Sequence, residues 1–235
     1  MELHEYWNDI DLSLKKLIKD GFVKLPPLDF FNLSAISENI TQDMKGKTFS
    51  ELCPSHKTFL QELDLEKSLT PKLYEIARDL YGYKGELSNQ YHIARRVEPG
   101  NSKELYRAHF DSHLFTLVLP LKIPLAQKGG SVGDLIYFPN ARRRPKNEFI
   151  NFLGKAYHKK YASKEGLDDF AVKHNKITDD FHDHCPLLFI GNTTLHTNKQ
   201  VSSDCSTYRL TLLAHFFDPS PKYGVGGLVR LLRAR

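Results

Sequence analysis

The chain has 235 residues, of which 40% are hydrophobic, 26% charged and 11% aromatic, with a formal net charge of +5. This composition is that of an ordinary globular protein and excludes disordered and fibrous classes. A chain of this length can bury a sizeable core without covalent cross-links. Its three cysteines are widely separated, with no C-x-x-C pair, which disfavours a disulfide framework or a zinc–thiolate site: Cys53, Cys185 and Cys205.

Cellular location and macromolecular partners are constrained by charge and hydropathy. The N-terminal segment is too polar and acidic for a signal peptide, and no apolar run reaches the length of a membrane span. We therefore expect a cytoplasmic protein without stable membrane insertion. The mild positive charge does not require a nucleic-acid partner, because such proteins usually concentrate basic residues on one face.

The first third of the chain has helical periodicity. A helix ending at Gly21 is predicted from apolar residues at helical spacing: Ile10, Leu14, Leu17 and Ile18. The segment 22–25 then reads as a short strand. A second helix is expected from Ser34, whose hydroxyl would cap it. A third should be capped by Thr70, with Pro71 at its first helical position, and end near Gly82.

From residue 86 the pattern changes to short segments rich in β-forming residues and separated by Gly, Pro or Asn turns. Five of these segments are predicted to be strands: 88–97, 113–123, 134–139, 186–190 and 206–217. The polar stretch between 139 and 185 is too long for a simple connection, which indicates a partly helical excursion or lid.

The predicted organisation is a single domain over residues 1–235, of the α+β class and mainly β. Residues 1–85 form a helical N-terminal support, and residues 86–218 form an antiparallel core that is a barrel or a sandwich. The core contains the insert at about 139–185, and a basic tail follows at 219–235.

The motif His109-Phe110-Asp111 places an imidazole and a carboxylate two residues apart, on the same side of an extended segment. A further histidine, His196, lies far along the chain, beyond another predicted strand. Two histidines and one carboxylate form the facial triad that binds non-haem Fe(II). The motif is short, so a surface pair near a turn is the alternative interpretation of His109 and Asp111.

Arg209 lies 13 residues after His196, within the otherwise apolar strand TYRLTLLAHFF. Strand alternation places it on one face with Thr211, Leu213 and His215. A buried arginine needs an anionic partner, which here is either a protein carboxylate or a ligand that carries one. Thr211 would donate its hydroxyl to the same anion, or it serves only as a β-forming residue.

Two other groups compete for the metal. His113 would share a face with His109 and Asp111 on a regular strand, although contact with a metal ligand or with substrate is the favoured role. The run 182–184 (His-Asp-His) has a similar composition, but it directly precedes a predicted strand, where a solvated loop is expected.

The order of H-x-D, distal histidine and R-x-T resembles that of the Fe(II)/2-oxoglutarate-dependent dioxygenases. LIKDGFVKL (17–25) resembles the helix–DGF–strand opening of the phytanoyl-CoA dioxygenase-like branch, and GGSVGDLIYFPNARR (129–143) resembles a loop of that branch after its core strands. The resemblance extends from about residue 17 to 216. It departs at Asn140, where the branch usually has glycine, and in the long insert.

This resemblance implies a double-stranded β-helix, that is, a jelly-roll or cupin-like barrel with supporting helices. His109, Asp111 and His196 would be the catalytic iron ligands, and Arg209, assisted by Thr211, would bind 2-oxoglutarate. The implied activity is that of a dioxygenase that consumes O₂, hydroxylates an unactivated C–H bond and releases succinate and CO₂. Asp111 favours oxygen transfer, because halogenating relatives have Gly or Ala there.

The expected substrate is a small molecule, with anionic ones among the candidates. Arg95, His113 and Arg142 are candidate substrate contacts, and a solvated basic face is the alternative for the arginines. Two other functions stay open: a dioxygenase acting on protein or nucleic acid, and a non-catalytic jelly-roll binding module. Nucleic-acid-dealkylating members usually carry a second arginine six residues after the first, where this chain has His215.

Overall fold

Helices supply the first third of the chain and strands most of the remainder. The computed structural model describes residues 3–51, 53–102, 107–127, 129–145 and 147–219; the rest of the predicted basic tail lies outside these ranges. The helices within them are α1 (Leu3–Tyr6), α2 (Ile10–Asp20), α3 (Leu33–Met44), α4 (Pro54–Glu62), α5 (Leu65–Ser68), α6 (Thr70–Tyr81), α7 (Glu148–His158) and α8 (Lys164–Ala171). The strands are β1 (Phe22–Lys24), β2 (Phe49–Glu51), β3 (Gln90–Val97), β4 (Phe115–Lys122), β5 (Leu135–Phe138), β6 (Ile177–Asp179), β7 (Leu187–Ile190), β8 (Leu195–Asn198) and β9 (Arg209–Phe216).

The C-terminal ends of α2 and α6 follow the predicted signals, whereas neither predicted N-terminal cap is formed. α2 ends at Gly21 and α6 at Gly82, both in the left-handed conformation that glycine adopts without a steric penalty. The prediction that Ser34 caps the second helix is wrong. Asn32 caps α3 instead, because its side-chain oxygen accepts a hydrogen bond from the Ala35 amide at 3.1 Å. Leu69 is the N-cap residue of α6, and the Thr70 hydroxyl donates to the Leu65 carbonyl at 3.1 Å instead of capping the helix.

The strands form two antiparallel sheets. The larger has the order β1-β7-β4-β9-β3-β2, and the smaller has the order β6-β5-β8. All five strands predicted beyond residue 86 are present, as β3, β4, β5, β7 and β9. The structure adds the short strands β2, β6 and β8, whose three or four residues carry too little periodicity to be recognised from sequence.

Alternation along the large sheet separates two environments. On β9, Leu210, Leu212 and Ala214 belong to an apolar core shared with the N-terminal helices. The intervening residues of β9 face the small sheet, whose other side packs against α8 through Phe138 and Phe170. The layers are therefore helices, large sheet, small sheet and α8. Among the described residues, no helix is long and apolar enough to cross a membrane.

The insert between residues 139 and 185 contains α7, a 3₁₀ turn at Lys159–Tyr161, α8 and β6, which confirms its partly helical character.

At the start of the insert, Asn140 has a φ of +52°. Glycine is common in this left-handed region, and asparagine tolerates it better than most residues. A Cβ added to Gly21 would lie 2.8 Å from the Asn140 side chain, so the end of α2 and the start of the insert require close packing.

Candidate metal centre and adjoining cavity

Three side chains from distant parts of the chain converge between the sheets. The ligand atoms of His109, Asp111 and His196 all lie within 4.8 Å of one another, and they form the one such group found in the described ranges. Asp111 Oδ1 is 3.6 Å from Nε2 of His109 and 3.7 Å from Nε2 of His196. One carboxylate oxygen thus faces both imidazoles, at a spacing that a metal ion can bridge.

Backbone pairing holds the two histidines together. His109 and His196 form an isolated antiparallel bridge, with both amide-to-carbonyl distances at 3.0 Å. Nδ1 of His109 donates to the Arg107 carbonyl at 2.8 Å, and Nδ1 of His196 donates to the Thr194 carbonyl at 3.2 Å. Since a carbonyl can only accept, each ring carries its proton on Nδ1 and presents the Nε2 lone pair to a metal.

A hydrogen bond to Oδ2, the oxygen that does not face the two imidazoles, holds the Asp111 carboxylate in position. Thr116 donates its hydroxyl to Oδ2 at 2.6 Å and lies 3.0 Å from Nδ1 of His215. Burial acts to raise the pKa of Asp111, but His196, His215, His109 and the Thr116 hydroxyl together bring it below its ordinary value. The side chain is therefore a carboxylate at neutral pH, the form that binds a divalent cation.

Burial, and then the neighbouring His196, lowers the pKa of His109. The His109 side chain is 55% exposed, so solvent screens this effect and limits its size. A neutral imidazole is the metal-binding form. The exposure also shows that the metal centre is open to solvent on the His109 side.

A cavity of about 200 Å³ extends from the triad between the two sheets. All four β9 residues predicted to share a face line it: Arg209, Thr211, Leu213 and His215. The predicted alternation of β9 is therefore confirmed. Apolar side chains complete the walls: Phe49, Ile93, Val97, Val118, Leu135 and Phe189.

Arg209 is a buried cation at the far end of this cavity, with 5% of its surface exposed. Its guanidinium donates to the Gly133 carbonyl, and no carboxylate in the described part of the chain forms an ion pair with it. The nearby acids are engaged elsewhere, since Asp134 pairs with Lys199 and Asp179 with Lys24. Of the two partners expected for Arg209, the protein carboxylate is thus absent from the described residues.

Burial, followed by the charge of Arg95, lowers the pKa of Arg209 to about 10, so the group remains a cation at neutral pH. Arg95 donates to the Asn198 side chain at 3.2 Å, and Asn198 donates to the same Gly133 carbonyl at 3.2 Å. This end of the cavity is therefore cationic and rich in hydrogen-bond donors, which suits an anionic group.

The structure brings only some of the candidate substrate residues to the cavity. Arg95 lines it, whereas Arg142 packs over Phe110 at 3.9 Å and donates to the Asn192 carbonyl at 2.8 Å. His113 stacks on His215, with ring centroids 5.1 Å apart, and is not among the residues that line the cavity. The segment after His109 bends instead of continuing as a regular strand, so alternation does not apply to His113.

The competing run 182–184 does not assemble a metal group. Asp183 pairs with Lys24 at 2.6 Å, and His184 hydrogen-bonds the Pro120 carbonyl at 3.3 Å. Sequence reasoning missed three site residues: Thr116, Gly133 and Asn198. A polar residue inside the apolar strand LFTLVLPL is the signal for Thr116. The hydrogen bond from the Asn198 side chain to the Gly133 carbonyl joins distant segments, and no sequence pattern indicates it.

No protein-family model matches the chain, and no curated protein matches its sequence. Solved structures share its fold at low identity. A prolyl 4-hydroxylase from Phytophthora capsici aligns with a TM-score of 0.55 and 15% identity, over 98% of this chain and 72% of that one. A prolyl hydroxylase from Trichoplax adhaerens, in complex with a hypoxia inducible factor peptide fragment, has a TM-score of 0.51 and 11% identity, over 92% of each chain. HygX from Streptomyces hygroscopicus, with iron bound, has a TM-score of 0.50 and 11% identity, over 87% of this chain and 86% of that one. These likenesses show that the chain has the antiparallel fold of these proteins.

Proposed function

We propose that this chain is a non-haem Fe(II)- and 2-oxoglutarate-dependent dioxygenase that hydroxylates an unactivated C–H bond. The observation that carries the proposal is the cavity with two chemically distinct ends. A His-Asp-His triad stands at one end, and Arg209, a buried cation without a protein carboxylate, stands at the other. A metal ion and an anionic co-substrate together complete both ends.

The donor set fits iron. Two imidazoles and one carboxylate on adjoining segments match the facial triad of non-haem Fe(II) sites, which leaves positions open for exogenous ligands. The iron-bound structure of HygX, which has the same fold, supports this choice. When bound, Fe(II) would supply O₂ activation, with 2-oxoglutarate as the reductant that leaves as succinate and CO₂.

The protein's own part is to hold the co-substrate and to position it. His196 and Asn198 lie two residues apart on β8, a separation of about 7 Å, and Asn198 contacts the Gly133 carbonyl that also binds Arg209. A short dicarboxylate fits this span with one end at the metal and the other at Arg209. Thr211 would add a hydroxyl to the distal carboxylate, and Arg95 would add charge.

The substrate would approach from the open side of the metal centre. A cavity of about 200 Å³ is smaller than typical ligand pockets, so it suits the co-substrate more than a second bound molecule. The exposed edge of His109 marks the remaining access to the metal. The proposed substrate is a small molecule, with anionic ones among the candidates; a peptide is the alternative, supported by the peptide complex of the Trichoplax enzyme.

Within this class we further propose that the chain belongs to the phytanoyl-CoA dioxygenase-like branch, as one domain with a jelly-roll core. The helix–DGF–strand opening supports this placement, since α2 ends at Gly21 and β1 begins at Phe22. Gly21 lies against Asn140, so the two motifs adjoin in space, and Asn140 is a residue at which the chain departs from the branch.

An anaerobic titration of the metal-free protein with Fe(II) and 2-oxoglutarate tests the proposal, with the visible charge-transfer absorption as the readout. We expect the band in the intact protein, its loss in His109→Ala, and at least a hundredfold weaker 2-oxoglutarate binding in Arg209→Met, because the distal carboxylate would lose its buried ionic partner. Arg96→Met is the matched control, since Arg96 is the neighbour of Arg95 on β3 and lies outside the cavity lining. Absence of the band in protein with confirmed iron content would refute the proposal and favour a non-catalytic binding module.

A further inference from the structure

Helix α7 presents a broad apolar surface to solvent. Five large side chains on it are between 45% and 68% exposed: Phe149, Ile150, Phe152, Leu153 and Tyr157. At 100° per residue these positions span an arc of about 160°. We call this set the α7 surface. Exposed apolar residues usually occur singly, whereas a contiguous group of aromatic and aliphatic side chains marks an interaction site.

The side of α7 that faces the protein is polar. Asn151, Gly154, Lys155 and His158 are the partly buried residues of the helix, and they recur at helical spacing. Asn151 accepts from Arg142 at 2.7 Å, and Lys155 donates to Ser112 at 2.9 Å. The amphipathic helix is thus turned with its polar side inward, which is the reverse of the orientation that would bury apolar area in an isolated chain.

Basic residues flank the α7 surface along the chain. Residues 142–164 contain eight Lys or Arg, of which Arg142 and Lys155 bind groups on the protein side, and a single acidic residue, while the whole chain has a net charge of only +5. Arg143 and Arg144 before the helix and Lys159 and Lys160 after it are exposed. Lys160 Nζ lies 4.0 Å from the Tyr157 ring centroid, so positive charge directly borders the apolar group.

We propose that the α7 surface docks on an anionic lipid bilayer. Aromatic and aliphatic side chains on one side of a helix, with Lys and Arg at its borders, are the features of a helix that lies in the membrane interface. The positive charge complements anionic headgroups, whereas it would repel the same surface on a second copy of this chain. Docking would bury the apolar arc without any spanning segment.

The inward side of α7, opposite the docking surface, contacts the segment that carries Asp111. Lys155 binds Ser112, directly after Asp111, and the His158 ring packs edge-on against Phe110 with centroids 4.9 Å apart. Docking would therefore place the bilayer one helix diameter, about 10 Å, from this segment, so a substrate held in the bilayer would lie close to the triad. This last step rests on the proposed function; the lipid contact itself does not.

Sedimentation of the full chain with vesicles tests the proposal without iron, co-substrate or turnover. The vesicles are phosphatidylcholine alone and phosphatidylcholine with about one third phosphatidylserine, each at low and high salt. The variants are the pairs F149S/F152S and K159E/K160E. Their matched controls lie on α2, where L12S/I18S removes two exposed apolar side chains and K15E/K16E reverses two exposed lysines.

We expect the intact chain to bind anionic vesicles at low salt. Binding should be at least tenfold weaker in both α7 variants, and also for the intact chain on pure phosphatidylcholine or at high salt. Both α2 control variants should bind as the intact chain does. All changed residues are exposed, so circular dichroism should show intact folding. Lack of binding to anionic vesicles, or equal loss in the α2 controls, would overturn the proposal. Binding that survives both α7 variants would place lipid contact elsewhere in the chain and also overturn it. Self-association that F149S/F152S abolishes, with no lipid binding, would assign the surface to a second copy instead.

Discussion

Among the residues that the structure describes, His56 combines burial and missing hydrogen bonds most completely. It has no exposed surface, and neither ring nitrogen has a hydrogen-bond partner. The His92 ring lies 6.5 Å away, also buried, with its Nδ1 lacking a partner. Burial lowers the pKa of His56 to about 4. The folded chain thus holds His56 neutral across a range in which the unfolded chain protonates it.

The magnitude follows from linkage between protonation and folding. The unfolded imidazole has a pKa of about 6.5, so between pH 6.5 and pH 4 the unfolded state binds a proton that the folded state does not. The contribution of His56 to the free energy of unfolding is therefore complete above pH 6.5 and declines as the pH falls toward 4. At pH 4.5 the loss amounts to about 2.5 kcal/mol.

The change is His56→Leu, measured by urea unfolding at pH 7 and pH 4.5 in the presence of a chelator, so that metal release does not contribute. We expect the pH-dependent loss of unfolding free energy to be about 2.5 kcal/mol smaller in the variant than in the parent. At pH 7 the variant should be as stable as the parent or more so, because leucine leaves no unpartnered polar atoms.

His182→Gln is the control, since it removes an exposed histidine and should leave the pH dependence of the parent unchanged. Equal pH dependence in His56→Leu and the parent would refute the reasoning, because it would show that His56 is protonated or hydrogen-bonded in the folded state. A lower stability at pH 7 together with the expected reduction in pH dependence would mean only that leucine packs poorly, and it would leave the conclusion about His56 protonation intact.

Two further predictions concern the site. Thr116→Val removes the hydroxyl that binds Asp111 Oδ2 and should weaken Fe(II) affinity, measured by calorimetry, about 10- to 100-fold. The control is Thr178→Val, since Thr178 is exposed. Unchanged Fe(II) affinity in Thr116→Val would exclude a positioning role for Thr116. Gly133→Ala should weaken 2-oxoglutarate binding more than Fe(II) binding, because the new Cβ would lie 2.8 Å from Val201 and 3.2 Å from the Arg209 side chain. Gly129→Ala has the same φ of +87° with open space around it, so an equal effect there would assign the loss to backbone strain alone.

Local sequence patterns were sufficient for most of the fold. Alternation on β9 identified which residues face the cavity, and glycine signals located the ends of α2 and α6. These features depend on the chemistry of a few neighbouring residues. The patterns do not predict α4 and α5, since these helices are short and their packing against α3 and α6 is a tertiary effect.

The sequence predicts which residue types form the candidate site, but it does not predict the long-range contacts that hold them in place. His109 and His196 could be proposed as partners from chemistry, but their direct pairing across a bridge is a long-range contact. Arg142 shows the limit most clearly. Its sequence context suggested a substrate contact, whereas its planar cation packs on Phe110 and its donors bind Asn192 and Asn151. Only the folded chain reveals that the space beside Phe110 is available.

The division of β9 between two faces has a consequence for how the protein tolerates change. Leu210, Leu212 and Ala214 hold the strand against the helices, while Arg209 and His215 project to the opposite side. A substitution on the cavity side leaves the core contacts of Leu210, Leu212 and Ala214 intact, so the cavity lining can change while the fold is preserved. A single inserted or deleted residue has a different effect, because it would exchange the core-facing and cavity-facing residues of β9. The guanidinium of Arg209 would then point into the apolar core. In β9 the alternation of residues between the two faces is therefore more tightly constrained than the identity of any one side chain.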